Sequence, residues 1–226
     1  MSNVLFNNAL NRVPQKTPPI WFMRQAGRYH SHYQNLKKDY SFEELCKNPE
    51  LAAQTALGPI NDFDFDVSIL FSDILFPLEA LGMDLKYNPG PIFGKFINNS
   101  NYDELKTAEE AVIDLTFQSE ALKITREILP KNKSLIGFVG GPWTVASYGT
   151  GMNKGINHKG NFKNDFIFKL LTKKIIPLLK RNIELQISSG AEIVMIFDTD
   201  ASRIENKKDF YDYSNLVYEN LIKPFD

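Results

Sequence analysis

The chain has 226 residues, 43% of them hydrophobic and 23% charged, which are ordinary values for a soluble globular protein with a buried core. Its 26 basic and 27 acidic residues leave a formal net charge of -1, so there is no electrostatic reason to expect a nucleic-acid or anionic-membrane partner. The single cysteine, Cys46, excludes an internal disulfide and a cysteine-rich zinc site, and we expect a reducing, cytoplasmic setting. Residues 1–16 lack the apolar stretch of a secretory signal, and the apolar run Ile193–Phe197 is too short to span a membrane.

Strand and helix patterns alternate along the chain. In order, the predicted elements are a helix over Ser2–Val13, a strand over Ile20–Met23, a helix over Pro49–Phe63, a strand over Val67–Phe71, a helix over Thr107–Leu129, a strand over Leu135–Val139, a helix over Asp165–Ser189, a strand over Ile193–Phe197 and a helix over Asp209–Ile222. The strands are continuously apolar, which indicates a parallel sheet buried on both faces in an α/β protein. This order fits both an open doubly wound sheet and a barrel.

Local signals refine several of these elements. Thr107 and Glu110 have the spacing of a capping box, Pro177 predicts a kink, and Gly190 suits a helix C-terminus. The segment Met83–Phe96, with its glycines and prolines, predicts an excursion or hairpin between two of the main elements.

Polar side chains follow the predicted strands, where α/β proteins place their chemistry. Arg24 and Arg28, separated by a loop containing Gly27, suit an anion clamp, although two solvated arginines near a helix start would give the same pattern. Asp73 could accept several N–H donors or merely cap a helix. Tyr148 could offer its hydroxyl to a ligand or pack over a strand end.

Three other patterns favour structural interpretations. Gly149–Gly151 with Gly155 departs from the dinucleotide-binding spacing, and a mobile loop is the better prediction. His30 and His32 form a pair without an evident third metal ligand. Asp198-Thr199-Asp200 is compatible with a magnesium motif, but a strand end running into a helix cap is favoured.

Several motifs in order resemble the uroporphyrinogen decarboxylase family. The most specific is the hexapeptide MRQAGR within the run Trp21–Tyr29. It is followed by Leu70–Leu75, Ala80–Met83, Ile136–Phe138, Gly141–Thr144, Gly190–Glu192 and Phe197–Thr199. The similarity extends from about Pro18 to the end of the chain.

This resemblance implies a (β/α)8 TIM barrel, a cytoplasmic homodimer, and no cofactor or metal. It implies a cyclic tetrapyrrole substrate, uroporphyrinogen III, whose four acetate arms lose carbon dioxide to give coproporphyrinogen III. The matching positions imply that Arg24 and Arg28 bind carboxylates and that the backbone of Gln25, Ala26 and Gly27 lies against the substrate. They also imply that Asp73 accepts from the pyrrole N–H groups and that Tyr148 and Thr199 donate to carboxylate arms.

The chemistry is compatible with a cofactor-free site. A pyrrole protonated on carbon becomes a cation that can take the electron pair left by carbon dioxide, and a desolvated Asp73 would stabilise that cation. Arg24 is the family's candidate proton donor, but arginine is a poor acid, so a water held by Arg24 is an alternative. Asp73, Arg24 and Tyr148 are therefore the candidate catalytic residues.

The chain also departs from the family pattern. His30-Ser31 replaces the usual Leu-Pro, and Asp200 replaces an aromatic residue or histidine, placing an acid beside an anionic substrate. The family's additional substrate-contacting histidine is not matched by His30, His32 or His158.

Only about four β/α units of the eight are visible, so we expect residues 1–226 to form a single incomplete barrel domain with poor activity alone. The alternatives are a non-catalytic fragment and a related barrel methyltransferase with zinc ligands, for which Cys46 is the only cysteine.

Overall fold

A computed structural model describes residues 2–154 and 162–225. Its α-helices are α1 Val4–Leu10, α2 Ser31–Asp39, α3 Phe42–Lys47, α4 Pro49–Phe63, α5 Phe76–Ala80, α6 Ala108–Ala111, α7 Thr116–Ile128, α8 Pro142–Thr150, α9 Asp165–Leu170, α10 Ile176–Ser188 and α11 Lys207–Val217. Its strands are β1 Val67–Ile69, β2 Leu85–Tyr87, β3 Pro91–Phe93, β4 Ser134–Gly140 and β5 Ile193–Phe197.

The main sheet has the strand order β1-β4-β5, and β1 pairs in parallel with β4 through the register Val67 to Ser134. Strand β4 is buried along its whole length, as its continuous apolar pattern predicts. The expected excursion after β1 is an antiparallel hairpin of β2 and β3. These elements confirm the predicted α/β class.

Several helix ends follow the predicted local chemistry. Helix α4 begins at Pro49, whose missing N–H costs nothing in a first turn, and the Asn48 side chain accepts from the Leu51 N–H. The capping box of Thr107 and Glu110 is present at α6. Gly190 has a φ of 102° just after α10, the left-handed conformation that glycine adopts without strain.

The predicted strand Ile20–Met23 is wrong. One backbone hydrogen bond links the Asp66 N–H to the Ile20 carbonyl, and the chain then turns so that the Gln25 N–H bonds to the Phe22 carbonyl. Phe22 and Met23 are 57% and 52% exposed. The short apolar run therefore begins beside the residue that precedes β1 but turns away before a ladder can form.

Two predicted long helices are interrupted. The helix expected over Thr107–Leu129 divides into α6, a 3-10 segment Val112–Leu115, and α7. The helix expected over Asp165–Ser189 has a wide π-helical turn, Leu171–Ile175, just before Pro177. Proline lacks the N–H that would bond four residues back, which accounts for the altered turn at the predicted kink.

The residues group into two compact units. Unit 1 comprises Met1–Asp73, Thr116–Phe138 and Leu185–Met195, and unit 2 comprises Ile74–Leu115, Val139–Glu184 and Ile196–Asp226. In unit 1, α4 packs against α7 and β1. In unit 2, α8 packs against the turns that follow α9 and β5, and Phe76, Trp143 and Leu170 are among its largest buried side chains.

Within the described residues, no helix combines the length and the apolar character needed to cross a lipid bilayer.

Candidate active site

The loop that carries MRQAGR is organised by the side chain of Gln25. This residue is 1% exposed, and its amide donates to the Val67 carbonyl at 3.0 Å while its side-chain oxygen accepts from the Phe22 N–H at 3.2 Å. The Tyr29 hydroxyl donates to the Gln25 carbonyl at 2.6 Å. Gln25 therefore fastens the loop to the first residue of β1, so its side chain has a structural role that the backbone prediction did not include.

Arg24 lies at an apolar concavity in unit 1. The concavity has a volume of about 550 Å³ and is lined by Phe22, Met23, Arg24, Tyr29, Phe63 and Phe65. The rings of Phe22 and Phe63 each lie 5.4 Å from that of Phe65. Arg24 is exposed, and its guanidinium has no hydrogen bond or ion pair to any residue that the structure describes. It is thus a cation at an aromatic wall, available to an anion that carries a flat apolar body.

Arg28 has a different neighbourhood from Arg24. Tyr33 is buried, and burial, followed by the nearby Cys46, raises the pKa of its hydroxyl. The positive charge of Arg28 offsets part of this increase in pKa. The Tyr33 ring lies 5.6 Å from that of Phe71, two residues before Asp73. The structure therefore links Arg28, through Tyr33, to the segment that leaves β1.

Asp73 is half-buried in the irregular segment between β1 and α5. Helix α5 begins three residues further on, at Phe76, with Leu75 in the N-cap position. Burial raises the pKa of the Cys46 thiol well above its ordinary value, and the negative charge of Asp73 raises it further. Asp73 therefore lies close enough to the buried Cys46 thiol for its charge to favour the protonated thiol.

Tyr148 and Thr199 are both accessible positions of unit 2. Helix α8 is buried at every residue except Tyr148, which is half-exposed, and Thr199 is exposed at the first position of the 3-10 turn Thr199–Arg203. Neither hydroxyl has a hydrogen-bond partner among residues 2–154 and 162–225. Both can donate to a ligand, as the family resemblance implied.

A network of hydrogen bonds joins α8 to the end of β5. Asp198 accepts from the Thr144 N–H at 2.9 Å, from the Thr144 hydroxyl at 2.8 Å, and from the Tyr213 hydroxyl. The Tyr213 oxygen accepts in turn from the Trp143 N–H at 2.8 Å. Burial and then the Asp198 charge raise the pKa of Tyr213, so this hydroxyl keeps its proton and donates.

The network decides the alternatives left open for Asp198-Thr199-Asp200. A helical turn does follow β5, but Asp198 makes no cap hydrogen bond to it and points its carboxylate at Thr144 and Tyr213 instead. Over the described residues, no group of three or more histidine, cysteine, aspartate or glutamate side chains is placed to hold a metal ion.

The remaining sequence patterns have structural partners. His30 and His32 point to different partners, the Asp62 carboxylate at 2.7 Å and the Gln54 carbonyl at 3.0 Å. Gly149 belongs to α8, and Gly151 ends that helix with a φ of 77°, so the mobile-loop prediction is wrong there. Gly155 and His158 lie outside the described residues.

Sequence reasoning missed the side-chain roles of Gln25, Thr144 and Tyr213. A buried glutamine in an exposed loop and a tyrosine on a surface helix have no distinctive spacing. Gln25 and Thr144 lie within the quoted family motifs, MRQAGR and Gly141–Thr144, but the resemblance implied no role for either side chain.

The amino-acid sequence is similar to those of known proteins. A family model described as Uroporphyrinogen decarboxylase (URO-D) matches residues 1–225. Proteins named uroporphyrinogen decarboxylase are 39% identical in Campylobacter jejuni, over 97% of this chain and 67% of the relative, and 41% identical in Orientia tsutsugamushi, over 99% and 66%. The protein of that name in Helicobacter hepaticus is 42% identical, over 89% and 61%. The chain thus spans about two thirds of the length of these relatives.

The fold resembles a methyltransferase from Methanosarcina mazei, with a TM-score of 0.71 over 91% of this chain and 61% of that one, at 20% identity. At this identity the likeness concerns the fold, and it supports the predicted α/β barrel class with a parallel sheet. The family match, by contrast, extends over nearly every residue and includes both the arginine loop and Asp73. The chain belongs to the uroporphyrinogen decarboxylase family.

Proposed function

We propose that this chain carries the substrate-binding arginines and the central aspartate of a uroporphyrinogen decarboxylase, a carbon–carbon lyase of porphyrin and haem synthesis. The observation that carries the proposal is the loop with two exposed guanidinium groups, Arg24 and Arg28, that have no acidic partner among the described residues. Unpaired arginines fixed by a buried glutamine suit a substrate with several carboxylates. The methyltransferase alternative rests on a fold likeness at 20% identity.

In the proposed reaction, each acetate arm is converted to a methyl group. A proton first adds to the pyrrole α-carbon next to the ring carbon that bears the acetate, giving a ring cation conjugated with that carbon. The bond to the carboxylate then breaks, carbon dioxide leaves, and its electron pair neutralises the ring. A second proton on the exocyclic carbon forms the methyl group, and loss of the first restores the pyrrole.

The proposed roles follow from charge and exposure. Asp73, half-buried beside a buried thiol, stabilises the ring cation and accepts from the pyrrole N–H groups. Arg24 and Arg28 bind carboxylates against the backbone of Gln25, Ala26 and Gly27, and Tyr148 and Thr199 donate to further carboxylates. Arg24, or a water that it holds, delivers the proton.

We extend the proposal to the whole protein. Residues 1–226 form part of a single barrel domain that works in the cytoplasm as a homodimer, without cofactor or metal and with a tetrapyrrole as its small-molecule partner. The relatives' names and the family match support the reaction and its substrate class.

Uroporphyrin, the fluorescent oxidised form of the substrate, provides the first test. We expect Arg24→Lys and Arg28→Lys each to weaken its binding at least tenfold, because a point charge does not reproduce a bidentate fork. Lys86→Arg, on the exposed hairpin, is the control with the same two residue types. Unchanged affinity in both arginine variants would show that the pair is not a carboxylate clamp.

Turnover provides the second test, measured as carbon dioxide released from uroporphyrinogen by the chain alone and after addition of the C-terminal third of a relative. Wherever turnover is found, Asp73→Asn should reduce it by orders of magnitude, whereas Asp84→Asn on the hairpin should not. A loss of less than tenfold, about 1.4 kcal/mol of barrier, would remove Asp73 from the reaction.

A further inference from the structure

Asp200 is an acidic residue directly after Thr199 in the chain, and it is only 7% exposed. A buried carboxylate is costly unless donors satisfy it. Its Oδ2 accepts from the Ser147 hydroxyl at 2.6 Å, and its Oδ1 lies 3.6 Å from the Arg203 Nε. Its N–H donates to the Thr144 hydroxyl at 3.0 Å. Residue 200 is therefore tied to two side chains of α8.

The direction of every hydrogen bond in this network is fixed. The Thr144 hydroxyl donates its only proton to Asp198 and accepts from the Asp200 N–H. Ser147 donates to Asp200. Each hydroxyl is used in a way that suits two ionised carboxylates, so the turn after β5 has one arrangement relative to α8.

This network surrounds two accessible positions, Tyr148 and Thr199. Ser147 precedes Tyr148, the half-exposed residue of α8, and Asp198 and Asp200 flank the exposed Thr199. The two carboxylates thus fix the backbone on both sides of Thr199 and directly before Tyr148. All of these residues belong to unit 2.

We propose that Asp200 is a positioning residue, which acts through Ser147 and Thr144 to hold Tyr148 and Thr199 at a fixed separation for carboxylate arms of the substrate. This inference rests on the proposed function, since it assumes that the two hydroxyls meet those arms. A fixed pair of donors binds an anion without the entropy cost of ordering them on arrival.

A purely electrostatic role for Asp200 predicts the opposite change in substrate affinity. A negative charge next to Thr199 repels an anionic substrate, so its removal by any substitution would tighten binding. A positioning role predicts instead that Asp200→Asn, which still offers an oxygen to Ser147, binds as the parent does. It predicts that Asp200→Ala and Ser147→Ala, which both break that bond, bind more weakly.

The test is fluorescence titration of uroporphyrin with the full chain and these three variants, together with their thermal unfolding. We expect Asp200→Ala and Ser147→Ala to weaken binding about tenfold, the double variant to be no weaker than either, and Asp200→Asn to stay within about threefold of the parent. Thermal midpoints establish that each titrated variant is folded.

Other outcomes separate the two proposals. If the parent binds and Asp200→Ala binds equally or more tightly, the positioning role is wrong and the proposed function stands. If Asp200→Asn is as weak as Asp200→Ala, the hydrogen bond to Ser147 is not the cause and the positioning role is wrong. If the parent itself does not bind uroporphyrin, the proposed function fails and the positioning role fails with it.

Discussion

Two regions that carry candidate ligand-binding groups are built in opposite ways. In the loop from Ile20 to His30, the guanidinium groups of Arg24 and Arg28 are exposed and have no partner among the described residues, and the buried Gln25 side chain ties the loop to β1. At the junction of α8 and the turn after β5, two carboxylates accept hydrogen bonds from α8 and from Tyr213, and Tyr148 and Thr199 are accessible beside them. The first region offers exposed positive charge to a ligand, and the second offers two hydroxyl groups next to hydrogen-bonded residues.

The two regions lose different amounts of conformational entropy when they bind a ligand. Exposed arginine side chains lose rotamer freedom when they bind an anion, but they can adapt to substituents at different angles. Hydroxyls on a saturated network lose little freedom but tolerate few geometries. The two regions therefore differ in how strictly each defines the geometry of a bound carboxylate.

The largest effect that would test this comparison is expected from Gly141→Ala. A Cβ at Gly141 would overlap the side chain of Asp198, which three donors hold in place and which cannot move without breaking the network. We expect a loss of about 3 kcal/mol in the free energy of unfolding, measured by urea denaturation. Gly90→Ala is the control, because a Cβ there meets nothing within 4 Å. Equal stability of the two variants would show that the junction is not rigid.

Gln25→Ala tests the buried side chain that ties the loop to β1. The substitution leaves the Val67 carbonyl and the Phe22 N–H without their side-chain partner, so we expect a loss of about 2 kcal/mol. Gln54→Ala, on the exposed side of α4, removes a similar side chain and should change the free energy by less than about 0.5 kcal/mol. Equal losses for the two glutamines would mean that the loop is held by other contacts.

The sequence predicted the main framework because its signals are strong and local. Pro49–Phe63 and Ile193–Phe197 have the predicted bounds, since proline, caps and continuous apolar runs fix these elements. The strand Ile20–Met23 failed because strand formation depends on a partner, which a local pattern does not contain. The network of Asp198, Thr144 and Tyr213 joins residues far apart in sequence, and no spacing rule could have assembled it.

A pH dependence of stability tests the environment of Asp73. Burial and then the Asp73 charge raise the pKa of Cys46 above its ordinary value of 9.0. The folded chain therefore keeps this proton to a higher pH than the unfolded chain does, and the stabilisation present below pH 9.0 is lost as the pH rises above it. We expect the free energy of unfolding of the parent to fall more steeply than that of Cys46→Ala, with a difference between the two proteins of about 1.4 kcal/mol over the range from about pH 8 to pH 10.

The difference between parent and variant isolates this thiol from the buried tyrosines, whose ordinary pKa of 10.0 places their own losses at higher pH. Urea denaturation at intervals between about pH 8 and pH 10 would measure it. Parallel curves for the two proteins would contradict a buried, protonated thiol.

The smallest effect on stability is expected from the residues that define the family signature. Arg24 and Arg28 are exposed and make no hydrogen bond or ion pair within the described parts of the chain, so lysine at either position should change the free energy of unfolding by less than about 0.5 kcal/mol. Arg126→Lys is a matched comparison, because this guanidinium donates to the Lys133 carbonyl at 3.0 Å and lies 3.5 Å from the Glu192 carboxylate. An ammonium group cannot reproduce both contacts, so the loss there should exceed about 1 kcal/mol. If Arg24→Lys or Arg28→Lys destabilised the chain as much as Arg126→Lys does, the guanidinium groups would already be engaged in the fold. They would then be unavailable to carboxylates, and the contrast between an adaptable loop and a saturated junction would not hold.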